Sequence, residues 1–270
     1  MQHSGSFKAR GAANLAVAHI EDGTMADRGV VIASGGNAGL ACAWAAQATG
    51  TRAAVFLPQT APAFKVAKLR SYGADVQLVG REYADALDAS IQYANRTGAL
   101  LSHAYDNPLI AAGAGTLTAE IIAAQPVDTV IVAVGGGGLL SGTIAAVEGS
   151  GIRVVAVEPE RCRALNAALE AGGPLDVAVD SIAAASLGAR RCSQMAYELA
   201  LRPEVASVLV SDRAIASARQ TLWGSRRLVV ELGGATALAA LLSGAYSPAP
   251  RERVVVVLCG ANTDPGSLVS

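Results

Sequence analysis

Lysine is scarce in this sequence of 270 residues, which contains only Lys8, Lys65 and Lys68. Chemistry that requires a side-chain amine must therefore use one of these three positions. Aromatic residues make up 4% and charged residues 16% of the chain, whereas hydrophobic residues make up 52%. This composition excludes a disordered or collagen-like chain and favours an α/β protein with one large domain or two smaller ones.

The sequence also lacks a strong net charge, a long apolar run and a basic leader. Its 21 basic and 22 acidic residues give a net charge of −1, so nothing attracts the chain in general to nucleic acid or to an anionic membrane. No apolar run reaches the roughly 18 residues that span a membrane. We therefore expect a cytoplasmic protein whose partners are small molecules or other proteins.

Cysteine and histidine are few and dispersed. The cysteines form no CxxC pair and have no neighbouring histidine, which argues against a zinc site or a disulfide framework. We expect most of them to be reduced and buried: Cys42, Cys162, Cys192 and Cys259. The histidines are too far apart in sequence for a metal triad, and we interpret them as structural or surface residues: His3, His19 and His103.

Short β-branched runs alternate with helix-length segments rich in Ala and Leu, a pattern typical of parallel sheets covered by helices. An Asp-Asn-Pro turn at 106–108 divides the chain into two α/β units. Ligands bind at the carboxyl ends of parallel strands, so the loops after strands are the candidate sites. The predicted strands lie at residues 29–34, 53–58, 75–80, 99–104, 129–135, 153–159, 207–212 and 253–260.

Lys8 has different surroundings from the other two lysines. Lys65 and Lys68 lie three residues apart in a predicted helix next to Arg70, which is the pattern of a solvated face. Lys8 instead follows a Ser-Gly-Ser turn and precedes an Ala-rich helical run. We therefore expect its amine to project from a loop-to-helix junction.

The turn Ser34-Gly35-Gly36-Asn37 links the first predicted strand to a helix that runs to about Thr49. Small residues with accessible amides at a helix N-terminus bind anions such as carboxylates. Ser and Asn also cap many ordinary helices, so anion binding and simple capping are both open here.

Four consecutive glycines, residues 135–138, link the fifth predicted strand to a helix. Backbone amides without side chains approach a phosphate closely, whereas an ordinary turn does not need this much conformational freedom. We therefore interpret the loop as a phosphate site. Glu158 ends the next strand, where a dinucleotide site places its ribose-binding acid, so a nicotinamide cofactor is an alternative.

Cys259 ends the last predicted strand, before the turn at Gly260 and Asn262. A buried structural cysteine is one interpretation, and its place at the carboxyl end of a strand favours a functional one. A reactive lysine, an anion-binding turn, a phosphate loop and a polar strand end together fit pyridoxal phosphate held as a Schiff base. A dinucleotide explains only one of these four features.

These motifs, in this order, resemble the fold-type II pyridoxal-phosphate enzymes, and most of all the serine/threonine dehydratases. The resemblance rests on Ser-Gly-Ser-Phe-Lys-x-Arg-Gly at 4–11, the Ser-Gly-Gly-Asn turn, the four glycines, Val-Glu-Pro at 157–159 and Cys-Gly at 259–260. It spans almost the whole chain. It implies two open parallel twisted sheets flanked by helices, as in the β-subunit of tryptophan synthase.

By this resemblance, Lys8 forms the Schiff base with the cofactor and then acts as the base, and Phe7 packs beside the cofactor. Ser34, Gly35 and Asn37 are implied to hold the substrate carboxylate, and Asn37 also to reach the 3′-oxygen of the cofactor. The remaining implied cofactor contacts are the backbone amides of Gly135, Gly136, Gly137, Gly138 and Leu139 at the phosphate, and Cys259 at the pyridine nitrogen.

The resemblance also implies a monovalent cation such as K⁺ near the site. The cation maps onto the carboxylate of Glu158 and the carbonyl groups of Cys162, Leu187 and Ala189.

The residue facing the pyridine nitrogen bears on the reaction type. A thiol with a pKa of about 8.5 is a poor partner for a pyridinium, so we expect a neutral ring, which is a weaker electron sink and favours β-elimination. The resemblance then implies conversion of L-serine or L-threonine to pyruvate or 2-oxobutanoate and ammonia. Related racemases use a serine at the position of Gly35, which this chain lacks.

Three alternatives to this dehydratase stay open. They are a β-replacing enzyme such as a cysteine synthase, a nicotinamide-binding protein that uses residues 135–138, and a catalytically inactive binding module of the same fold.

The resemblance further implies a small domain at residues 12–104, a large domain formed by 1–11 and 105–270, and a homodimer. Family members have several dozen residues, including a strand, before the lysine motif, whereas seven residues precede Lys8 here. A missing strand leaves an apolar sheet edge exposed. We therefore expect this chain to be less stable and less active than one extended upstream.

Overall fold

The chain divides into two compact units, residues 1–113 and 114–270, and the computed structural model describes residues 2–268. The first unit contains α1 (Lys8–Glu21), β1 (Val30–Ala33), α2 (Asn37–Thr49), β2 (Ala53–Leu57), α3 (Ala63–Ser71), β3 (Asp75–Leu78), α4 (Tyr83–Thr97) and β4 (Leu100–Leu101). The next helix, α5 (Pro108–Ala124), contains the boundary between the units.

The first unit is built on four parallel strands in the order β3-β2-β1-β4. The central strands β1 and β2 are buried along their whole length, because helices cover both faces of the sheet. Val31 packs with Ala86 of α4 on one face, whereas Ile32 packs with Leu69 of α3 on the other. Burial on both faces explains why these strands are continuous apolar runs in the sequence.

The second unit has the same plan, with parallel strands in the order β7-β6-β5-β8. Its remaining elements are β5 (Thr129–Ala133), α6 (Gly138–Ala146), β6 (Arg153–Pro159), α7 (Ala164–Ala171), α8 (Ala184–Leu187), α9 (Gln194–Ala200), β7 (Val205–Val210), α10 (Asp212–Arg226), α11 (Leu232–Leu242), β8 (Val254–Val256) and the 3₁₀ helix η1 (Pro265–Leu268). The interior strands β5 and β6 are again almost wholly buried.

The structure confirms the predicted fold class and all eight strands, with differences at the sheet edges. β4 is two residues long and β8 three, because each pairs with a single neighbour and the chain leaves the ladder early. β7, also an edge strand, begins two residues before its predicted start. The predicted domain limits at residues 12 and 104 stay a prediction.

The cysteine side chains are buried, as predicted, and no two of them form a disulfide within residues 2–268. Burial raises the pKa of the Cys42 thiol to about 12, although a hydrogen bond with Ser102 acts in the opposite direction. Over the same residues, no helix is both long and apolar enough to cross a membrane.

A buried carboxylate joins the amino ends of three strands in the second unit. Glu252 lies just before β8, with its side chain only 4% exposed, and forms an ion pair with Arg153 of β6 at 2.8 Å. Its Oε1 accepts hydrogen bonds from the hydroxyls of Thr129, at 2.5 Å, and Tyr246, and its Oε2 accepts one from the Ala249 amide at 2.6 Å. Burial raises the pKa of this carboxyl, but the hydrogen bonds and the Arg153 charge outweigh it and lower the pKa to about 2.

We expect Glu252→Gln to lower the free energy of unfolding by about 1–3 kcal/mol at pH 7, because the amide removes the ion pair and leaves a buried donor facing other donors. The carboxylate contributes its full stability above its unfolded pKa of about 4.5 and loses it as the pH falls towards 2. The difference between the wild type and the variant should therefore shrink between pH 5 and pH 3, measured by urea unfolding.

Glu148→Gln is the matched control. Glu148 also forms an ion pair at 2.8 Å, with Arg202, but its side chain is 65% exposed. Its replacement should change the free energy of unfolding by less than about 0.5 kcal/mol. Equal effects of the two substitutions would contradict a special role for the buried carboxylate.

Candidate active site

The predicted site residues fall into two groups, one in each unit. The first group, in residues 1–113, consists of Phe7, Lys8, Ser34, Gly35 and Asn37. The second group, in residues 114–270, consists of Gly135, Gly136, Gly137, Gly138, Leu139, Glu158, Cys162, Leu187, Ala189 and Cys259.

Lys8 is the first residue of α1, so the predicted loop-to-helix junction is confirmed. The preceding turn is closed by a hydrogen bond from the Gly5 amide to the Gln2 carbonyl at 3.0 Å. The Lys8 Nζ donates a hydrogen bond to the Ala104 carbonyl at 3.0 Å and lies 4.9 Å from the centre of the Phe7 ring. These contacts hold the amine against the segment that follows β4.

Lys8 lines a small cavity of about 10 Å³ inside the first unit. The other lining residues come from α1, from the first turns of α2, and from the segment between β4 and α5: Ala12, Ala38, Ala41, Ser102, His103, Ala104 and Ile110. Ala38 directly follows Asn37. The structure therefore brings the predicted reactive amine next to the predicted anion-binding turn.

The Ser-Gly-Gly-Asn turn ends β1 and begins α2 at Asn37. The helix-capping position is Gly36, and within the described chain no side chain caps it. The Ser34 hydroxyl accepts a hydrogen bond from the Gly36 amide at 3.3 Å inside the turn. The capping residue itself has no side chain, and anion binding at this turn stays a prediction.

Lys65 lies beside this turn, which the sequence did not predict. A Cβ added at Gly35 would lie 2.9 Å from the Leu57 Cδ2 and 3.9 Å from the Lys65 Cδ. Lys65 is half-buried, whereas Lys68 is exposed, with its ammonium 5.1 Å from the centre of the Tyr72 ring. The predicted solvated face therefore fits Lys68, but Lys65 adds positive charge near the anion-binding turn.

His103 is exposed and its ring is bonded within its own loop, so its predicted structural or surface role is confirmed. Its Nδ1 accepts hydrogen bonds from the amides of Tyr105, at 3.3 Å, and Asp106, at 2.8 Å. Partial burial and the positive charge of Lys8 lower the pKa of the imidazole, whereas the negative charge of Asp106 raises it. The pKa is lowered on balance, and burial is the largest cause. Because Nδ1 accepts two amide hydrogen bonds, the neutral form of this ring carries its proton on Nε2.

The tetraglycine loop follows β5 and leads into α6, and two of its residues have no room for a side chain. A Cβ at Gly135 would lie 3.1 Å from the Leu187 Cα. Gly137 has φ = +102°, and a Cβ there would lie 2.3 Å from the Ala196 Cβ. The amide of Ser193 fixes the loop by donating to the Gly136 carbonyl at 3.0 Å. The capping residue of α6 is Gly137, which has no side chain, and the predicted phosphate contact of the first amides stays a prediction.

Glu158 is fully buried at the carboxyl end of β6. Its two carboxylate oxygens accept hydrogen bonds from the amides of Leu165 and Asn166 at the start of α7, both at 2.8 Å. Burial raises the pKa of this carboxyl to about 7. The two hydrogen bonds and the positive charge of Arg163 lower the pKa, but by less than burial raises it. Glu158 therefore stabilises the start of a helix, and its predicted part in a cation site stays a prediction.

The other predicted cation ligands are dispersed along the second unit. Cys162 is buried, and burial is the main cause that raises the pKa of its thiol. The negative charge of the nearby Glu158 carboxylate also raises this pKa. Leu187 ends α8 beside Gly135, and its carbonyl accepts a hydrogen bond from the Ala189 amide at 3.0 Å. These positions leave the cation set untested.

Cys259 lies three residues after β8 and is buried. Its Sγ lies 3.9 Å from the Gly233 carbonyl in the first turn of α11. Because β8 pairs with β5 in parallel, Cys259 and the tetraglycine loop follow the carboxyl ends of neighbouring strands. Strand order thus brings these two predicted cofactor contacts to the same edge of the sheet.

Comparisons with known proteins agree with this arrangement. A family model described as pyridoxal-phosphate dependent enzyme (PALP) matches residues 1–260. An L-threonine ammonia-lyase from Thermotoga maritima is 34% identical over 267 residues, which cover 98% of this chain and 66% of that protein. A serine dehydratase-like protein from Mus musculus is 34% identical over 278 residues, with 97% of this chain and 83% of that protein covered.

Among solved structures, the processed form of threonine deaminase isoform 2 from Solanum lycopersicum is similar, with a TM-score of 0.92 and 26% identity. The match covers 99% of this chain and 74% of that one. The chain spans just under two thirds, 66%, of the length of the Thermotoga maritima relative. Since the family model matches nearly the whole sequence, the chain belongs to the family of pyridoxal-phosphate dependent enzymes.

Proposed function

We propose that this chain catalyses the pyridoxal-phosphate-dependent dehydration and deamination of L-serine or L-threonine, which yields pyruvate or 2-oxobutanoate and ammonia. One observation carries the proposal: Lys8 lines a cavity together with Ala38 and Ala41 of α2, a helix whose capping residue is Gly36 and has no side chain. An amine nucleophile next to a carboxylate-binding helix end is what an amino-acid enzyme of this family needs. The names of the relatives support the same reaction class.

The residues present fit the cofactor. A Cβ at Gly137 would collide with Ala196 and one at Gly135 would press on Leu187, so packing within the second unit requires glycine here and keeps the loop a bare backbone, the kind of loop whose amides bind a phosphate. Two buried hydroxyls, those of Ser6 and Ser141, have no hydrogen-bond partner within residues 2–268. In the first unit Ser6 lies two residues before Lys8, and in the second unit Ser141 lies in the first turns of α6. An orphaned polar atom beside each group of predicted residues supports a polar ligand at each group.

The bound cofactor supplies an electron-withdrawing ring that acidifies the Cα proton of an attached amino acid. Lys8 provides the amine that attaches the cofactor, and the same Nζ then takes the Cα proton as the general base. The Ala104 carbonyl and the Phe7 ring position this nitrogen. Ser34, Gly35 and Asn37 orient the substrate carboxylate, assisted by the positive charge of Lys65, a half-buried residue whose Cδ lies beside Gly35.

Cys259 determines the reaction type in this proposal. Its buried thiol, unlike a carboxylate, leaves the pyridine nitrogen without a counter-charge, so the ring stays neutral. Bound beside this thiol, a neutral ring would be a weaker electron sink. Loss of the β-hydroxyl together with the Cα proton is therefore favoured over reactions that need a persistent carbanion.

Three further properties belong to the proposal. We propose a cytoplasmic location, which the burial of all four thiols supports, since reduced cysteines suit a reducing compartment. We also propose a homodimer.

A monovalent cation at Glu158 is the last part of the proposal. Burial raises the pKa of the Glu158 carboxyl to about 7, and a bound cation would lower this pKa by favouring the carboxylate.

Lys8→Ala should abolish covalent attachment of the cofactor and reduce keto-acid formation by at least a factor of about 1000, because the variant has neither the attaching amine nor the base. The measurement is mass spectrometry of the borohydride-reduced protein, in which the wild type should carry the cofactor on the peptide that contains Lys8. Lys68→Ala, at an exposed lysine, is the control and should keep both properties. Attachment at Lys65 or Lys68 in the wild type would overturn the assignment.

The reaction class is tested with the wild-type enzyme and L-serine, L-threonine or NAD. We expect keto acid and ammonia from serine or threonine in the absence of sulfide, because elimination needs no second substrate. Keto acid is detected by coupling to lactate dehydrogenase. A β-replacing enzyme would be supported if product formed only with added sulfide. A nicotinamide-binding protein would be supported if the protein bound NAD but not pyridoxal phosphate. A binding module would be supported if the protein bound pyridoxal phosphate but converted none of these amino acids.

Gly137→Ala should weaken binding of pyridoxal phosphate by at least a factor of ten, because the new Cβ collides with Ala196 and displaces the loop. Gly172→Ala is the matched control. Gly172 also has positive φ, +79°, but a Cβ there meets nothing within 4 Å. Both variants should lose roughly 1–2 kcal/mol of stability from backbone strain, and only Gly137→Ala should lose cofactor, measured by equilibrium dialysis. Equal affinities would contradict a phosphate site at this loop.

A further inference from the structure

Ser141 combines deep burial with a missing hydrogen bond. Its residue is 1% exposed, and its hydroxyl has no partner among residues 2–268. An unmade hydrogen bond at a buried hydroxyl is costly, so native proteins rarely keep one without a reason. Thr143 of the same helix is buried as well, but its hydroxyl is paired with that of Thr118 at 3.0 Å.

The position of Ser141 in α6 determines where its hydroxyl lies. Ser141 follows Gly137 by four residues and Gly138 by three, so it shares their face of the helix. Its amide donates to the Gly137 carbonyl at 2.8 Å, which closes the first turn. Side chains on a helix lean towards its N-terminus, and neither glycine has a side chain that could cover this turn. The hydroxyl therefore lies over the turn that begins at the tetraglycine loop.

From these observations we propose that the Ser141 hydroxyl donates a hydrogen bond to a phosphate oxygen of the cofactor, next to the backbone amides of residues 135–139. The inference rests on the proposed cofactor binding. In this role Ser141 distinguishes pyridoxal phosphate from its phosphate-free form. The buried hydroxyl, unsatisfied within the chain itself, is satisfied when the phosphate is bound.

The test compares Ser141→Ala with the wild type, each as holoenzyme and after reconstitution with pyridoxal phosphate or with pyridoxal. We expect the substitution to weaken binding of pyridoxal phosphate about tenfold, the equivalent of one hydrogen bond to a charged acceptor. Binding of pyridoxal should not change. The ³¹P NMR signal of the bound cofactor should also shift, because one donor to the phosphate is lost.

The melting temperature separates this role from a structural one. Without cofactor, Ser141→Ala should melt at the same temperature as the wild type or above it, because an unsatisfied polar atom is removed. Thr143→Val is the control in the same helix. It breaks a formed hydrogen bond, so it should melt at a lower temperature but keep the wild-type preference for pyridoxal phosphate over pyridoxal.

Two results would overturn the proposal: equal weakening of both cofactor forms by Ser141→Ala, or no change in either. The first would indicate a structural role, and the second a hydroxyl bonded to a buried water molecule. A wild-type protein that binds neither cofactor form would instead refute the proposed function, so the two failures are distinguishable.

Discussion

Two helix N-termini without capping side chains are the constraint on which the rest of the structure depends. α2 and α6 each begin at the end of a buried parallel strand, in a glycine-rich turn, and the capping residue of each helix is a glycine. A helix end of this kind is stabilised by negative charge supplied from outside the chain. In the proposed function, these two helix ends, one in each unit, bind the anionic groups of substrate and cofactor.

The fold could be predicted from the sequence because the central strands are buried on both faces. Continuous apolar runs such as β1, β2 and β5 have one explanation in an α/β protein, and all three were found. The edge strands β4 and β8 were predicted too long, because their ends depend on where pairing with a neighbour stops. The apolar composition of a segment does not predict where its pairing stops, and β4 is only two residues long although its apolar run is longer.

The candidate site was predictable only where local sequence carries the signal. Lys8 follows a turn and starts a helix, and both features lie within a few residues of it. The place of Lys65 was missed because it depends on proximity to a residue far away in the sequence, Gly35. The Glu252 cluster was missed for the same reason, since its carboxylate meets Thr129 and Arg153 only after the strands have paired.

The burial of Cys42 has a consequence for how the protein withstands oxidants. A thiol whose pKa is raised to about 12 is almost entirely protonated in any cell, and peroxides and alkylating reagents attack the thiolate. The sulfur at the centre of α2 therefore cannot become a sulfenic acid while the helix is packed. Oxidative damage at this position would report unfolding of the first unit rather than exposure of the native enzyme to stress.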